Sequence, residues 1–372
     1  MKKILLGTTA IIGAALLAAP ASAEVVNGNG LQLKITGYIE FLAGYISEDN
    51  DSAADRDYEI EDRSELNFLV NGKTDTGLTY GGKVGFENIS AGNGLTVDEV
   101  WVEVGGGWGR VVLGDDDDAL DGFKQAPPGI GGADGSFDRF IIGGAPQTGN
   151  GVSNSDATKI GYYTPDFGGF KAGITFTPNE SSNGRTIFRS DSRTVTSTTN
   201  FTATVDPVTG AVTVTPNTST QFDLTEKVSI GAQYAGAFGA AKVQVGGGFT
   251  GADNSAPGGQ DLEVYALGGR VGFGAITVGA QWVHQENFTA NDDLDRYNFG
   301  AEYGLGAWTF GANYYIADFD TNSDTDHALG FGAEYTVAPG LVVRGDATFF
   351  DAESRTPDND GTVLTLRTRV NF

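Results

Sequence analysis

From Leu31 to Phe372 the chain alternates apolar and polar residues with a period of two, segment after segment. Successive side chains of a strand point to opposite faces, so each segment is a strand with two chemically different sides. The cleanest places Leu33, Ile35, Gly37, Ile39, Phe41, Ala43 and Tyr45 on one face and Lys34, Thr36, Tyr38 and Glu40 on the other. The last carries Leu364, Leu366, Thr368, Val370 and Phe372 on one face and Thr365, Arg367, Arg369 and Asn371 on the other. Similar alternation near 58–71, 78–88, 96–104, 108–114, 157–164, 170–177, 227–234, 240–249, 261–271, 275–284, 296–304, 308–316, 326–335, 341–350 and 361–372 gives about sixteen strands.

The opposite faces are polar along nearly every segment: Glu59, Glu61, Arg63 and Glu65; Lys83 with Glu87; Glu99 with Glu103; Arg344 with Asp346. A dry interior does not hold that many ionised groups without individual partners, whereas a water-filled one does. The connections also sort into two kinds. Short turns at 72–77, 105–107, 165–169, 235–239, 304–307 and 336–340 alternate with longer acidic connections at 47–57, 89–95, 115–156, 178–226, 250–260, 285–295, 317–325 and 351–360. Aromatic residues recur by strand direction. Tyr45, Phe86, Phe176, Phe249, Trp282, Tyr314 and Phe349 precede long connections; Tyr162, Phe170, Tyr234, Tyr303, Trp308 and Tyr335 flank short turns. Two rings of amphipathic aromatics at fixed depths match two membrane interfaces.

Residues 1–23 read as a secretory signal peptide, with Lys2 and Lys3, an apolar run from Ile4 to Ala19, and a small-residue cleavage site at Ala21-Ser22-Ala23. Residues 24–372 form the mature domain. No later segment is apolar for long enough to cross a bilayer as a helix, so a membrane-spanning form of this chain is a closed barrel. The formal charge is −25, and loss of Lys2 and Lys3 makes it −27. That acidity excludes nucleic acid as a partner. The absence of cysteine excludes a disulfide framework and suits passage through an oxidising compartment in an unfolded state.

A terminal aromatic on an alternating strand resembles the C-terminal signature of bacterial outer-membrane β-barrels. The stretches Leu33–Tyr45, Arg63–Phe86 with Asn71-Gly-Lys-Thr-Asp-Thr-Gly-Leu78, Gly109-Arg-Val-Val-Leu-Gly-Asp115 and the last strand together resemble the general diffusion porins of Gram-negative bacteria. The resemblance spans the mature chain. It implies an all-β, sixteen-stranded transmembrane barrel in the outer membrane, assembled as a homotrimer among lipid and lipopolysaccharide and passing small hydrophilic solutes. Its third long loop would fold inward and narrow the channel. Here that loop starts at Asp115, Asp116, Asp117 and Asp118, continues through Asp121, and ends near Asp156. The family pairs such acids with a basic wall, for which strand position indicates Lys34, Arg63, Lys83 and Lys159. One arginine among four cations, with lumen glutamates beside them, favours cations as the passing ions.

No catalytic constellation is present: His284 and His327 lack metal-ligand spacing, Gly72-Lys73-Thr74 lacks the upstream glycine of a phosphate loop, and Gly246–Gly251 opens an acidic loop instead of a helix. The expected activity is conduction, not catalysis. Two other readings compete. Lumen aromatics Tyr38, Trp101, Tyr163 and Tyr315 would form a binding track in a substrate-specific porin, and a plugged barrel with partner-binding loops would be structural or adhesive. Acidic connections at Ser47–Asp51, Asn291–Asp295 and Asp318–Asp324 offer oxygen ligands for weak Ca²⁺ binding without matching an EF-hand. The Thr/Val-rich segments Thr194–Thr204 and Ala211–Thr215, around Asp206–Gly210, read as an exposed hairpin. The processed protein should begin at Glu24; intact-mass measurement on protein extracted from outer membranes checks this, and a retained leader would contradict it.

Overall fold

The computed structural model describes residues 23–26, 30–49, 57–87, 96–130, 137–147, 156–180, 192–205, 212–222, 224–255, 259–289, 292–320 and 324–372. Most of the leader expected at 1–23 lies outside them. Sixteen strands form one closed antiparallel barrel: β1 Gln32–Glu48, β2 Tyr58–Lys73, β3 Thr79–Glu87, β4 Thr96–Gly106, β5 Gly109–Asp115, β6 Thr158–Tyr163, β7 Phe170–Asn179, β8 Leu224–Phe238, β9 Ala241–Asn254, β10 Leu262–Phe273, β11 Ile276–Thr289, β12 Asp292–Leu305, β13 Trp308–Phe319, β14 Thr325–Ala338, β15 Leu341–Ala352 and β16 Asn359–Asn371. Each pairs with its neighbours in sequence, and β16 returns to β1 in the register Thr365↔Gly44 and Asn371↔Tyr38. Phe372 completes the seam by exchanging backbone hydrogen bonds with Gly37 at 2.9 and 3.0 Å. A short strand, Ala23–Val26, pairs with Gln32–Ile35 of β1, below the point where β16 ends.

The alternation read from sequence decides which side faces out. Ile39, Phe41, Val102, Leu113, Ile174, Leu267, Phe299, Phe331, Leu364 and Leu366 are all exposed large apolar side chains on one face. On the intervening positions Glu40, Lys159, Lys227, Gln281, Asn298, Asn313, Arg344 and Arg367 are buried. Exposed apolar residues on a continuous outer band are stable only against lipid. At the short-turn end, Trp308 packs on Tyr335 with ring centroids 4.8 Å apart, and Trp108 stacks on Tyr162 at 6.4 Å. At the long-loop end, Phe249 packs on Tyr265 at 5.0 Å. The two aromatic belts are therefore cross-strand contacts.

Strands at the long-loop end run further than the alternation suggested. The connection expected at 285–295 shrinks because β11 continues to Thr289 and β12 starts at Asp292. The reason is an inversion of the pattern. Above the belt, the inward residues Leu262, Val264, Val283, Leu294, Ala317 and Val363 are apolar and buried, while Glu263, His284, Glu286 and Asp295 face outward. The hydrogen-bonded ladder continues even though the polarity of its faces has exchanged. This also corrects, for the upper wall, the expectation of inner faces polar along nearly every segment: the wall is apolar where Leu120, Phe137 and Phe140 of a loop pack on it.

Short turns rely on glycine where the backbone enters the left-handed region, as at Gly274 (φ 59°) and Gly306 (φ 63°). The Thr/Val-rich insertion forms a separate two-stranded antiparallel sheet, Ser192–Val205 with Val212–Phe222. Its expected turn at Asp206–Gly210 lies outside the described residues. Leu366 sits mid-height on the lipid face, so Leu366→Arg should destabilise the barrel by about 2–4 kcal/mol. Reversible urea unfolding in vesicles measures this, and an unchanged midpoint would contradict the assigned outward face.

Candidate functional site: the inner wall and its loop

The chain between β5 and β6 lies against the inner wall. After Asp118 a short helix, Ala119–Phe123, inserts Leu120 among Ala252, Leu262, Val264, Ala266 and Val283. Phe123 packs with Val112 and Tyr163. The backbone N–H of Ala119 donates to Thr175 Oγ1 (3.2 Å) and that of Leu120 to Ser229 Oγ (2.8 Å). Further along, Gln125 Nε2 donates to Gln233 Oε1 (3.0 Å), Gly129 N to Glu302 Oε1 (3.0 Å), and Asn313 Nδ2 to the Pro128 carbonyl (2.6 Å). Phe137 and Phe140 then join Leu42, Ile46, Tyr315, Phe350 and Val363 in an apolar cluster. Gln147 N reaches Asp326 Oδ2 at 2.7 Å, and its carbonyl accepts from Arg296 Nε at 3.1 Å. Segments 131–136 and 148–155 lie outside the described residues.

Six consecutive strands make room for this segment with glycine. A Cβ at Gly231 would overlap the carbonyl oxygen of Ala119, one at Gly246 that of Phe123, one at Gly268 that of Gln125, and one at Gly300 that of Pro128. At Gly279 it would sit 3.0 Å from Pro128 Cδ, and at Gly311 2.6 Å from Ile130 Cβ. Such close approach of one backbone to another is available only where no side chain intervenes. Gly231 and Gly300 each stand three residues before a belt tyrosine, Tyr234 and Tyr303, and nothing in the sequence marks them as the loop's bed.

The acidic run divides. Asp115 ends β5 on the same face as Leu113 and accepts from Thr158 Oγ1 at 2.5 Å, so it points away from the lumen, contrary to its expected place at the constriction. Asp116 is packed against Lys159, whose Nζ donates to its carbonyl, and burial with Glu99 and Asp117 nearby raises its carboxyl to about 6. Asp117 continues the run. Asp118 is 1% exposed, with Oδ2 2.6 Å from Lys227 Nζ and Oδ1 3.8 Å from Lys159 Nζ. Burial pushes its carboxyl up while the two lysines pull it down. Lys227, fully buried, also pairs with Glu180 at the end of β7. Asp118 therefore anchors the loop and does not face open channel. Asp121 pairs with Lys124.

The basic wall is assembled differently from the sequence-based expectation. Arg63 is in it; Lys34 is not, standing six residues before Glu40 on β1, about 20 Å along the strand. Lys83 pairs with Glu99 at 2.8 Å, and Lys159 touches the acidic run directly instead of opposing it across the lumen. The cationic group consists of Arg63, Arg344, Arg367 and Arg369. Glu40 lies 2.8 Å from Arg369 Nε, 3.5 Å from Arg367 Nη1 and 3.7 Å from Arg63 Nη1. Arg344 Nε is 2.8 Å from Asp346, and Tyr38 lies under the Arg369 guanidinium at 3.8 Å. Four arginines thus share two carboxylates. Beside them on β2–β6 lies an acidic surface of Glu65, Glu87, Asp98, Glu99, Asp116 and Asp156, with Lys83 and Lys159 as its lysine neighbours. Burial, with Asp98 and Glu99 close by, raises Asp156 as well. The arginines were visible as alternating lumen residues, but only the β16–β1 closure brings β15, β16, β1 and β2 together.

Among the described residues, no group of three or more carboxylates and histidines is arranged to hold a metal ion. Parts of the three acidic connections considered for Ca²⁺, including Asp51, Asn291 and 321–323, lie outside those residues.

Residues 7–355 match the family profile described as Gram-negative porin. The chain belongs to the Gram-negative porin family. No curated protein matches it. Among solved structures, a double-tryptophan variant of Rh. blastica porin matches with TM-score 0.59 and 20% identity, covering 91% of this chain and 100% of that one. A triple mutant of Rhodopseudomonas blastica porin gives 0.57 and 19% with the same coverage. A chain from work on asymmetric conductivity of engineered proteins gives 0.56 and 20%, also with the same coverage. At these identities the likeness is one of fold. The chain is thus an outer-membrane porin channel, a class of channel proteins and not of enzymes.

Lys227→Met would leave the buried Asp118 with only the more distant Lys159, and the partly exposed Glu180 without this partner, a loss on the order of 3 kcal/mol, the low end for a broken buried pair. The porin should keep its folded gel mobility while single-channel currents become noisy and close at lower voltage. Currents like those of the unsubstituted porin would remove Lys227 as the anchor. Gly268→Val, which displaces the same segment sterically, should act alike.

Proposed function

We propose that this porin is a homotrimer whose barrels passively conduct small hydrophilic solutes and ions, with a modest preference for cations. The observation that carries the preference is the acidic inner surface of Glu65, Glu87, Asp98, Glu99, Asp116 and Asp156, held beside an arginine group largely occupied by Glu40 and Asp346. Low-dielectric walls focus the field of such a surface into the water between them and raise the local concentration of counter-ions. The described parts of the loop, 116–130 and 137–147, narrow the passage by occupying its inner wall. Arginines and carboxylates standing side by side create a transverse field, which orients polar solutes and disfavours apolar ones. No binding energy toward a particular solute is needed for this function.

The substrate-specific reading loses its aromatic track. Tyr315 is buried in the cluster under Phe137 and Phe140, and Tyr163 is covered by Phe123, so four lumen aromatics do not form one accessible strip. Lipid and lipopolysaccharide surround the outer band, with the glycolipid leaflet at the long-loop end.

Planar-bilayer recording in a KCl gradient tests the reading. Insertions should come in triplets, with a reversal potential on the cation side; a permeability ratio favouring Cl⁻, or a silent bilayer with correctly folded protein, would overturn it. The preference should also fall as pH is lowered through about 6, where Asp116 takes up a proton and the lumen loses a negative charge. Asp116→Asn should flatten that step, and a step of unchanged size would assign it to other groups.

A further inference from the structure

On the outer wall, β10, β11 and β12 carry three successive outward rows in register. The lowest is Leu267, Trp282 and Tyr297; the next is Tyr265, His284 and Asp295; the highest begins with Glu263 and Glu286. The inward neighbours Val264, Val283 and Leu294 are buried and apolar here, so the wall leaves the hydrocarbon within these rows. Leu267, in the lowest row, and Phe299, one row beneath it, are exposed lipid-facing residues.

The aromatic groups in this region are fixed. Tyr265 packs on Phe249 at 5.0 Å, and the His284 ring lies 6.1 Å from Tyr265 and 6.0 Å from Trp282, nearly parallel to the latter at 22°. Asp295 Oδ1 accepts the Trp282 indole N–H at 2.7 Å and lies 3.1 Å from His284 Nδ1. A tryptophan that acts only as an interfacial anchor offers its N–H to water or headgroups. Here the N–H is already used inside the protein, and what Trp282 presents is its ring face.

Tyr265, Trp282, His284, Glu286, Asp295 and Tyr297 line a shallow, wide-open groove on the outer wall. Among the described residues its lining contains no lysine or arginine, and the neighbouring Arg296 is directed to the Gln147 carbonyl and Gln285 inside the barrel. A phosphate would meet carboxylates without a cation. A sugar fits both components, with C–H faces against electron-rich rings and hydroxyls donating to Glu286 and Asp295.

We propose that this groove binds the uncharged sugar headgroup of an outer-leaflet glycolipid, whose acyl chains descend over Leu267 and Phe299. The site binds through sugar hydroxyls and ring faces and requires neither phosphate nor a bridging metal ion.

Native mass spectrometry of the folded porin in lipid discs tests this with digalactosyldiacylglycerol and phosphatidylglycerol as probes, each with EDTA or Mg²⁺. The neutral glycolipid should be retained in EDTA. Trp282→Ala should reduce its retention roughly tenfold, while Trp308→Ala, in the opposite belt, leaves it unchanged. Glu286→Lys, on the outer surface, serves if Trp282→Ala fails to fold; it should shift preference from the sugar lipid to phosphatidylglycerol. Equal losses in Trp282→Ala and Trp308→Ala would mean a plain aromatic belt and overturn the proposal. Retention confined to phosphatidylglycerol with Mg²⁺ would mean a metal bridge and also overturn it.

Discussion

In hydrocarbon there is no water to take up an unpaired backbone N–H or carbonyl, and the rest of this molecule depends on that constraint. A sheet crossing the membrane must leave no edge, so the sixteenth strand has to meet the first. The register at that seam and the mutual bonds of Phe372 with Gly37 meet the requirement. Closure then brings arginines from the two ends of the sequence together. Arg63 on β2 and Arg344, Arg367 and Arg369 on β15 and β16 become neighbours around Glu40 and Asp346 only because the barrel is shut.

A barrel of this size encloses an aqueous space too wide for side chains to fill. The chain uses part of that space for its own backbone. Between Ala119 and Ile130 it runs over glycines on six neighbouring strands, and Asp118 holds its beginning through a fully buried lysine. Steric fit and ion pairing do different work here. The glycines permit the close approach; Lys227 ties the segment to Glu180 at the base of the large inserted hairpin. Loop position and lumen calibre are thus built into the wall itself.

The strands and belts were legible in the sequence because lipid imposes a strict two-residue period on the outer face. The pattern failed where lipid ends. Above the belt, outward Glu263, Glu286 and Asp295 and inward Leu262, Val264 and Leu294 invert the alternation, so β11 and β12 looked shorter than they are. The site was less legible than the fold. A run of four aspartates carries no sign of which carboxylate points outward, which is buried and which meets water; the backbone at the end of β5 decides, sending Asp115 one way and Asp118 the other. Lys227 gave no local signal, since its partners are 109 and 47 residues away in sequence.

The segment after β5 lies against the inner wall of the barrel, and the calibre of the lumen depends on that placement. The natural chain has no cysteine, so Gln125→Cys with Gln233→Cys places one thiol on that segment and one on β8, at positions whose side chains are hydrogen-bonded. A short bifunctional thiosulfonate added to the folded double variant, followed by peptide mapping, should give an intramolecular 125–233 cross-link in most chains. Two free thiols that react readily with a maleimide would place the segment away from the wall and contradict the account.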